Sequence, residues 1–267
     1  MKYHILAFGA GFLLDQLFGD PYFLPHPIRG IGWLIAKGEK LLRALFPTRL
    51  RLAGKILAVG VPLITLLISW GLLWILYRIH PLLGFAAELL LASLTLAAKS
   101  LKTESMKVYA ELQKGDLEGA RHAVSMIVGR DTQVLDQTGV TKAAVETVAE
   151  NTSDGVIAPM LYMAIGGAPL GFFYKAVNTM DSMLGYVEPP YKDIGLVPAR
   201  MDDVFNFIPA RLSALLMLAA GALLQLDVKN GWKIFRRDRC KHASPNSAQT
   251  ESVCAGLLGL RLAGDAW

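Results

Sequence analysis

Four runs of about twenty residues with little or no charge set the rhythm of this chain, and polar blocks of helical periodicity fill the spaces between them. Ile56 to Tyr77 is a stretch of 22 uncharged residues with Pro62 near its first turns, long enough to cross a hydrocarbon core of about 30 Å. Pro81 to Ala98 is interrupted only by Glu88. Gly155 to Tyr174 is uncharged for 20 residues but carries Pro159, Gly166, Gly167, Pro169 and Gly171. That is too broken for an ordinary spanning helix, since irregular backbone at membrane depth is tolerated only under protein or beside a water-filled cavity. Phe205 to Leu226 contains Arg211, which needs a partner or a route to the interface. Ile5 to Phe18 is short and holds Asp15, so it reads as a thin span, a re-entrant segment or an interfacial helix. The pattern predicts an all-α, polytopic membrane protein with four to five membrane-embedded segments, some broken or re-entrant.

The polar blocks refine the topology. Arg29 to Lys55 holds seven Lys or Arg against one acid, Glu39, and so reads as a cytoplasmic loop. Pro25 to Gly30 reads as an irregular loop fixed by its prolines. Residues 99–154 read as a small helical cytoplasmic subdomain, with breaks at Lys114-Gly115-Asp116 and Gly129-Arg130-Asp131 and Asp116 as an N-cap. A short helix at 178–185 would put Asn178, Asp181 and Ser182 on one side. A full crossing at 155–174 would separate the block 175–203 from Glu146 to Asp154, whereas a re-entrant pair would keep both on one side; the complementary polar residues favour the second arrangement.

Composition agrees: 53% hydrophobic residues, a mean hydropathy of +0.40 and 18% charged residues belong to a membrane protein. The net charge of +5 is spread over loops beside apolar runs, which argues for topology signals rather than nucleic acid. Cys240 and Cys254 have no metal-like spacing. No small-residue cleavage site follows the first apolar run, so no removable signal peptide is expected. The expected place is the cell's inner (cytoplasmic) membrane, crossed several times, with the active site expected at the cytoplasmic face.

The densest polar constellation is Glu146-Thr-Val-Ala-Glu150-Asn151-Thr-Ser153-Asp154-Gly155, at the threshold of an apolar run. In a helix Glu146, Glu150 and Ser153 share a face, and paired carboxylates invite a divalent cation, a cationic side chain or a ligand. A solvated acidic edge is the plain alternative. His26 and Arg29 fit an anion or a lipid headgroup equally. Arg200 beside Asp202 and Asp203 is either an ion-pair knot or a phosphate clamp beside metal ligands, and Ser244-Pro245-Asn246 is either a loop or a phosphate-binding turn.

These motifs, with Gly166-Gly-Ala-Pro169, Asn178-Thr-Met-Asp-Ser-Met183, Ala199-Arg-Met-Asp-Asp203, Ile208-Pro-Ala-Arg211 and Arg237-Asp238, run along the chain in the order seen in a known family. The sequence resembles the adenosylcobinamide-phosphate synthases, the CobD/CbiB family of cobalamin biosynthesis. It departs at Val187-Glu188-Pro189-Pro190, where a more basic turn is common, and at Ala243, where proline is usual. The family generally continues past Gly264 with another apolar segment, so the C-terminus is expected to be truncated. The resemblance implies ATP-dependent ligation of aminopropanol, as its phosphate, to a propionate carboxylate of adenosylcobyric acid, with Mg²⁺ as cofactor. Residue chemistry then suggests Glu146, Glu150, Asp154 and Asp181 as catalytic groups and Glu150, Asp154, Asp181, Asp202 and Asp203 as metal ligands. Substrate contacts would come from His26, Arg29, Asn151, Ser153, Asn178, Ser182, Arg200 and Asn246. No Gly-x-x-x-x-Gly-Lys-Ser/Thr phosphate loop is present. Expected partners are the corrinoid, aminopropanol phosphate and the bilayer, with a homo-oligomer compatible and no nucleic acid. The rival reading is a non-enzymatic polytopic transporter or sensor, for which glycine- and proline-broken apolar segments beside charges would line a path.

Overall fold

The computed structural model describes residues 2–20, 26–129 and 131–262, among which there are helices and connecting turns and no strand. The helices are α1 (Lys2–Phe18), α2 (Pro27–Leu45), α3 (Leu50–Ile79), α4 (Pro81–Thr95), α5 (Ala98–Gln113), α6 (Leu117–Ser125), α7 (Gln137–Asn151), α8 (Ala158–Leu184), α9 (Leu196–Leu223), α10 (Val228–Asp238) and α11 (Ser247–Leu258). A π-helical turn, Thr152–Ile157, joins α7 to α8. Among the described residues four helical stretches are long and apolar enough to cross a membrane: α3, α4 with its continuation, α8 with its approach, and α9. The protein is all-helical and polytopic.

The chain folds as two compact units, residues 1–97 with 158–206, and residues 98–157 with 207–267. In the first, α3 packs on α2, α4 and α8, and α1 packs on α4 and α8. Its core gathers Ile31 and Ile35 of α2, Leu57 and Val61 of α3, and Phe172 and Met180 of α8. Pro62 lies inside α3 without ending it. Outward faces are apolar: Trp70, Trp74 and Ile75 are each half exposed or more, as suits a lipid-facing helix.

Three expectations change here. The stretch Arg29 to Lys55 is mostly helix, because Ile28, Ile31, Ile35 and Leu42 recur at helical spacing while Lys37 and Lys40 take the other side; His26 caps it and Pro27 opens it. Pro27 to Gly30 is therefore the first turn of α2 rather than a loop, while Pro25 lies outside the described residues. The helix 178–185 is not separate either. It is the end of α8, whose break is confined to Gly166 (φ −138°, ψ 23°) and Gly167 (φ 68°, ψ −170°), and Pro169 falls in the first turn after it, where no amide is missed.

In the second unit α5, α6 and α7 pack together over Val108, Ala120, Val124, Val140 and Ala143. Asp116 and Asp136 cap α6 and α7 by accepting from Gly119 N at 2.9 Å and Gly139 N at 2.7 Å. Of the second break expected there, Arg130 lies outside the described residues. Phe235 of α10, Val253 and Leu257 of α11 and Ala214 and Leu218 of α9 form the other core of this unit. The apolar end Ala255 to Gly264 is helical to Leu258 and closed by Gly259 in the left-handed region; Ala263 and Gly264 lie outside the described residues.

Candidate functional site

Two polar clusters emerge, one in each unit. In the first, Asp202 of α9 is 8% exposed, a position that burial makes costly for a carboxylate unless donors face it. Asn206, one turn on, donates from Nδ2 to Asp202 Oδ2 at 2.9 Å, and Asn178 of α8 makes a long contact to Oδ1 at 3.5 Å. Tyr174 Oη in turn donates to Asn206 Oδ1 at 2.7 Å, so a hydroxyl, an amide and a carboxylate form one chain. Tyr162 stacks on Tyr174 with ring centroids 5.0 Å apart and donates to the Phe205 carbonyl at 2.8 Å. The charges of Asp181 and Asp203 bear on Asp202. Ser182 turns back to the Asn178 carbonyl at 3.0 Å, and Arg200 is exposed. His26 lies with Nε2 3.1 Å from Asp20 Oδ1 while Nδ1 accepts from Ile28 N, and Arg29 is exposed on α2.

In the second unit, Glu150 near the end of α7 accepts from Ser247 Oγ at 2.7 Å. Asn246, before α11, accepts from Arg211 Nη1 at 3.2 Å, and Arg211 also donates to the Phe207 carbonyl at 2.7 Å, which answers the need for a partner within an apolar run. The π turn carries Ser153 and Asp154. Asn151 Nδ2 and Thr152 Oγ1 bond to the Thr147 and Val148 carbonyls, while the Ser153 hydroxyl, 2% exposed, has no hydrogen-bond partner among the described residues. Wider helical turns of this kind recur at functional sites. Glu146 is half-buried on the same helix.

Of the expected metal ligands, Asp181, Asp202 and Asp203 belong to the first cluster and Glu150 and Asp154 to the second. Among the described residues no three His, Cys, Asp or Glu side chains converge on one point. Sequence reasoning missed Tyr174, Asn206 and Ser247. Asn206 was legible as the i+4 neighbour of Asp202; Tyr174 was not, having been counted in an apolar run.

The family model for the CobD/Cbib protein matches residues 8–267. The chain belongs to this family. Similar relatives include the cobalamin biosynthesis protein CobD of Clostridium perfringens, 48% identical over 95% of this chain and 81% of that protein. CobD of Geobacter metallireducens is 50% identical over 94% and 79%. The cobalamin biosynthesis protein CbiB of Salmonella typhimurium is 46% identical over 97% and 82%. No solved structure matches. Membership of the CobD/Cbib family places the chain in cobalamin biosynthesis.

Proposed function

We propose that the protein is an amide-forming ligase of cobalamin biosynthesis. It joins the amine of aminopropanol phosphate to a propionate carboxylate of adenosylcobyric acid at the expense of ATP. A carboxylate is a poor electrophile, so its oxygen first attacks the terminal phosphorus of ATP, releasing ADP and leaving an acyl phosphate. The amine nitrogen then attacks the acyl carbon, phosphate departs with the bonding pair, and the ammonium proton passes to a base. The observation that carries this reading is the buried Asp202 with Asn178, Asn206 and Tyr174 fixed around it and Asp181 and Asp203 beside it.

Such hard oxygen donors suit Mg²⁺, which is commonly held by one or two carboxylates and the phosphates of its nucleotide. A pair drawn from Asp181, Asp202 and Asp203 meets that need without a third protein ligand. When bound, Mg²⁺ would neutralise charge on the phosphates. Asp181 is the residue we assign to accept the amine proton, and Asn178 and Asn206 hold Asp202 in place. Arg211, tied to Asn246, offers a guanidinium for a substrate phosphate, and Arg29 and Arg200 are exposed cations for the same use. Glu150, set by Ser247 and with Glu146 and Asp154 alongside, is the alternative base for that same proton.

The test is turnover of adenosylcobyric acid, aminopropanol phosphate and Mg-ATP by purified protein in lipid. Product that disappears in Asp181→Asn or in Glu150→Gln supports that residue as the base, and unchanged turnover in both removes both from the chemistry. The rival reading, a transporter or sensor, draws on the break in α8 beside a buried acid. ATP-independent corrinoid flux in proteoliposomes, with no amide product, would favour it.

A further inference from the structure

Glu88 belongs to neither cluster. It is 1% exposed within α4, a helix of otherwise apolar and small residues, where a carboxylate needs donors. Tyr77 Oη donates to Oε2 at 2.6 Å, and His4 Nδ1 lies 2.6 Å from Oε2 and 2.8 Å from Oε1. A carboxylate has about four acceptor positions, so room remains for another donor. These residues line a cavity of about 870 Å³ together with Trp70, Trp74 and Arg78. Its walls come from α1, α3 and the stretch of α8 from Met163 to Pro169, and α1 and α3 both pack on α4 and α8. The break in α8 makes room for the acid: a Cβ on Gly167 would lie 2.9 Å from Glu88 Oε1.

The position of the cavity along α3 limits its occupant. Trp70 to Arg78 forms the last turns of α3, whereas the basic stretch before Leu50 lies at the other end, about 40 Å away at 1.5 Å per residue. Aromatic rings with a basic residue mark headgroup depth, and the Arg78 guanidinium carbon lies 5.4 Å from the centre of the Trp74 ring. An occupant here meets a carboxylate, an exposed guanidinium, indole faces and apolar walls. It must offer a donor-bearing cation, an anion and hydrocarbon.

We infer that this cavity holds the headgroup of an ethanolamine phospholipid, with the primary ammonium donating to Glu88 and flanked by Trp70 and Trp74, the phosphate on Arg78 and the chains along α1 and α3. A choline headgroup has the same charges but no N–H donor and three added methyls. Free phosphoethanolamine has the donors but no chains.

The experiment reads lipid retention by native mass spectrometry of the purified full chain, exchanged into equal mixtures of ethanolamine and choline phospholipids of one chain length. Wild type is expected to retain the ethanolamine lipid at least fivefold over choline. Glu88→Gln, and separately Arg78→Gln, should bring the ratio near one while thermal unfolding shows both still folded. Equal retention by wild type, or preserved selectivity in both variants, overturns the assignment. Should either variant fail to fold, Trp74→Leu at the rim takes its place with the same expected loss. Soluble phosphoethanolamine at millimolar concentration should not displace the lipid; displacement would overturn the lipid as the source of this chemistry. The assay involves no corrinoid and no ATP, so its outcome is independent of the ligase reading.

Discussion

Tyr174→Phe tests whether the Tyr174–Asn206–Asp202 chain is one network. Tyr174 is fully buried and Asn206 is 1% exposed. Removing the hydroxyl keeps the ring and its stacking on Tyr162 but deprives Asn206 Oδ1 of a donor 2.7 Å away. A buried acceptor stripped of its donor costs about 1–3 kcal/mol, and with little volume lost we expect about 1.5 kcal/mol. Asn206→Ala removes more. The bond to a carboxylate is worth about 1.5–3 kcal/mol, and the volume removed from a site only 1% exposed adds to it, for about 4 kcal/mol in all. In that background Tyr174→Phe deletes a hydroxyl that has already lost this acceptor, so its further cost should be near zero. The cycle should therefore show a coupling of about 1.5 kcal/mol, read from denaturant unfolding in mixed micelles. Costs that add to within about 0.4 kcal/mol would show that the three groups do not act together.

Three further outcomes follow from local geometry. Gly115→Ala and Gly167→Ala both put a Cβ at positive φ, 75° and 68°, at a cost of about 1–3 kcal/mol; Gly167→Ala should cost visibly more in the same unfolding assay, since its ψ of −170° lies in a region entered almost only by glycine and its Cβ would also lie 2.9 Å from Glu88 Oε1, and equal losses would refute this account of the break in α8. A maleimide at pH 7.5 should label exposed Cys240 quickly and Cys254 at least tenfold more slowly, because burial pushes the Cys254 thiol up to about 11; equal rates on peptide mapping would contradict the packing of α11. The Arg237 guanidinium, with Lys241, pulls the Asp238 carboxyl down to about 2, below its unfolded value of about 3.9. Its contribution is therefore present above about pH 4 and lost as pH falls through about 2. Melting midpoints of wild type and Asp238→Asn should differ at pH 6 and converge only below about pH 2, with Arg237 too exposed for a large gap.

The spans were readable because charge is nearly absent from them: the 22-residue run at Ile56 is the middle of α3, and Asp116 capped its helix as expected. α2 was misread because its positive charges drew attention from Ile28, Ile31 and Ile35. The break in α8 was read as spread over all its glycines and prolines, yet backbone torsions leave the helix only at Gly166 and Gly167. Which polar groups meet was partly visible, as with Asn178 and Asp202. Glu150 with Ser247, 97 positions apart, carries no local signal at all. Glu88 was noticed only as an interruption, since nothing in its neighbours forecasts a tyrosine eleven residues earlier and a histidine near the start.

The interleaving of the two units bears on how the protein is made. The ribosome delivers α1 to α4, then the sixty residues 98–157 that belong to the other unit, and only afterwards the α8 that α3 and α4 pack against. During that interval, several seconds at bacterial elongation rates of about 5–20 residues per second, the newly inserted α3 and α4 wait with their inner faces uncovered. A nascent chain in that condition is a natural client for the insertion machinery, and no contiguous fragment of the gene encodes either unit whole.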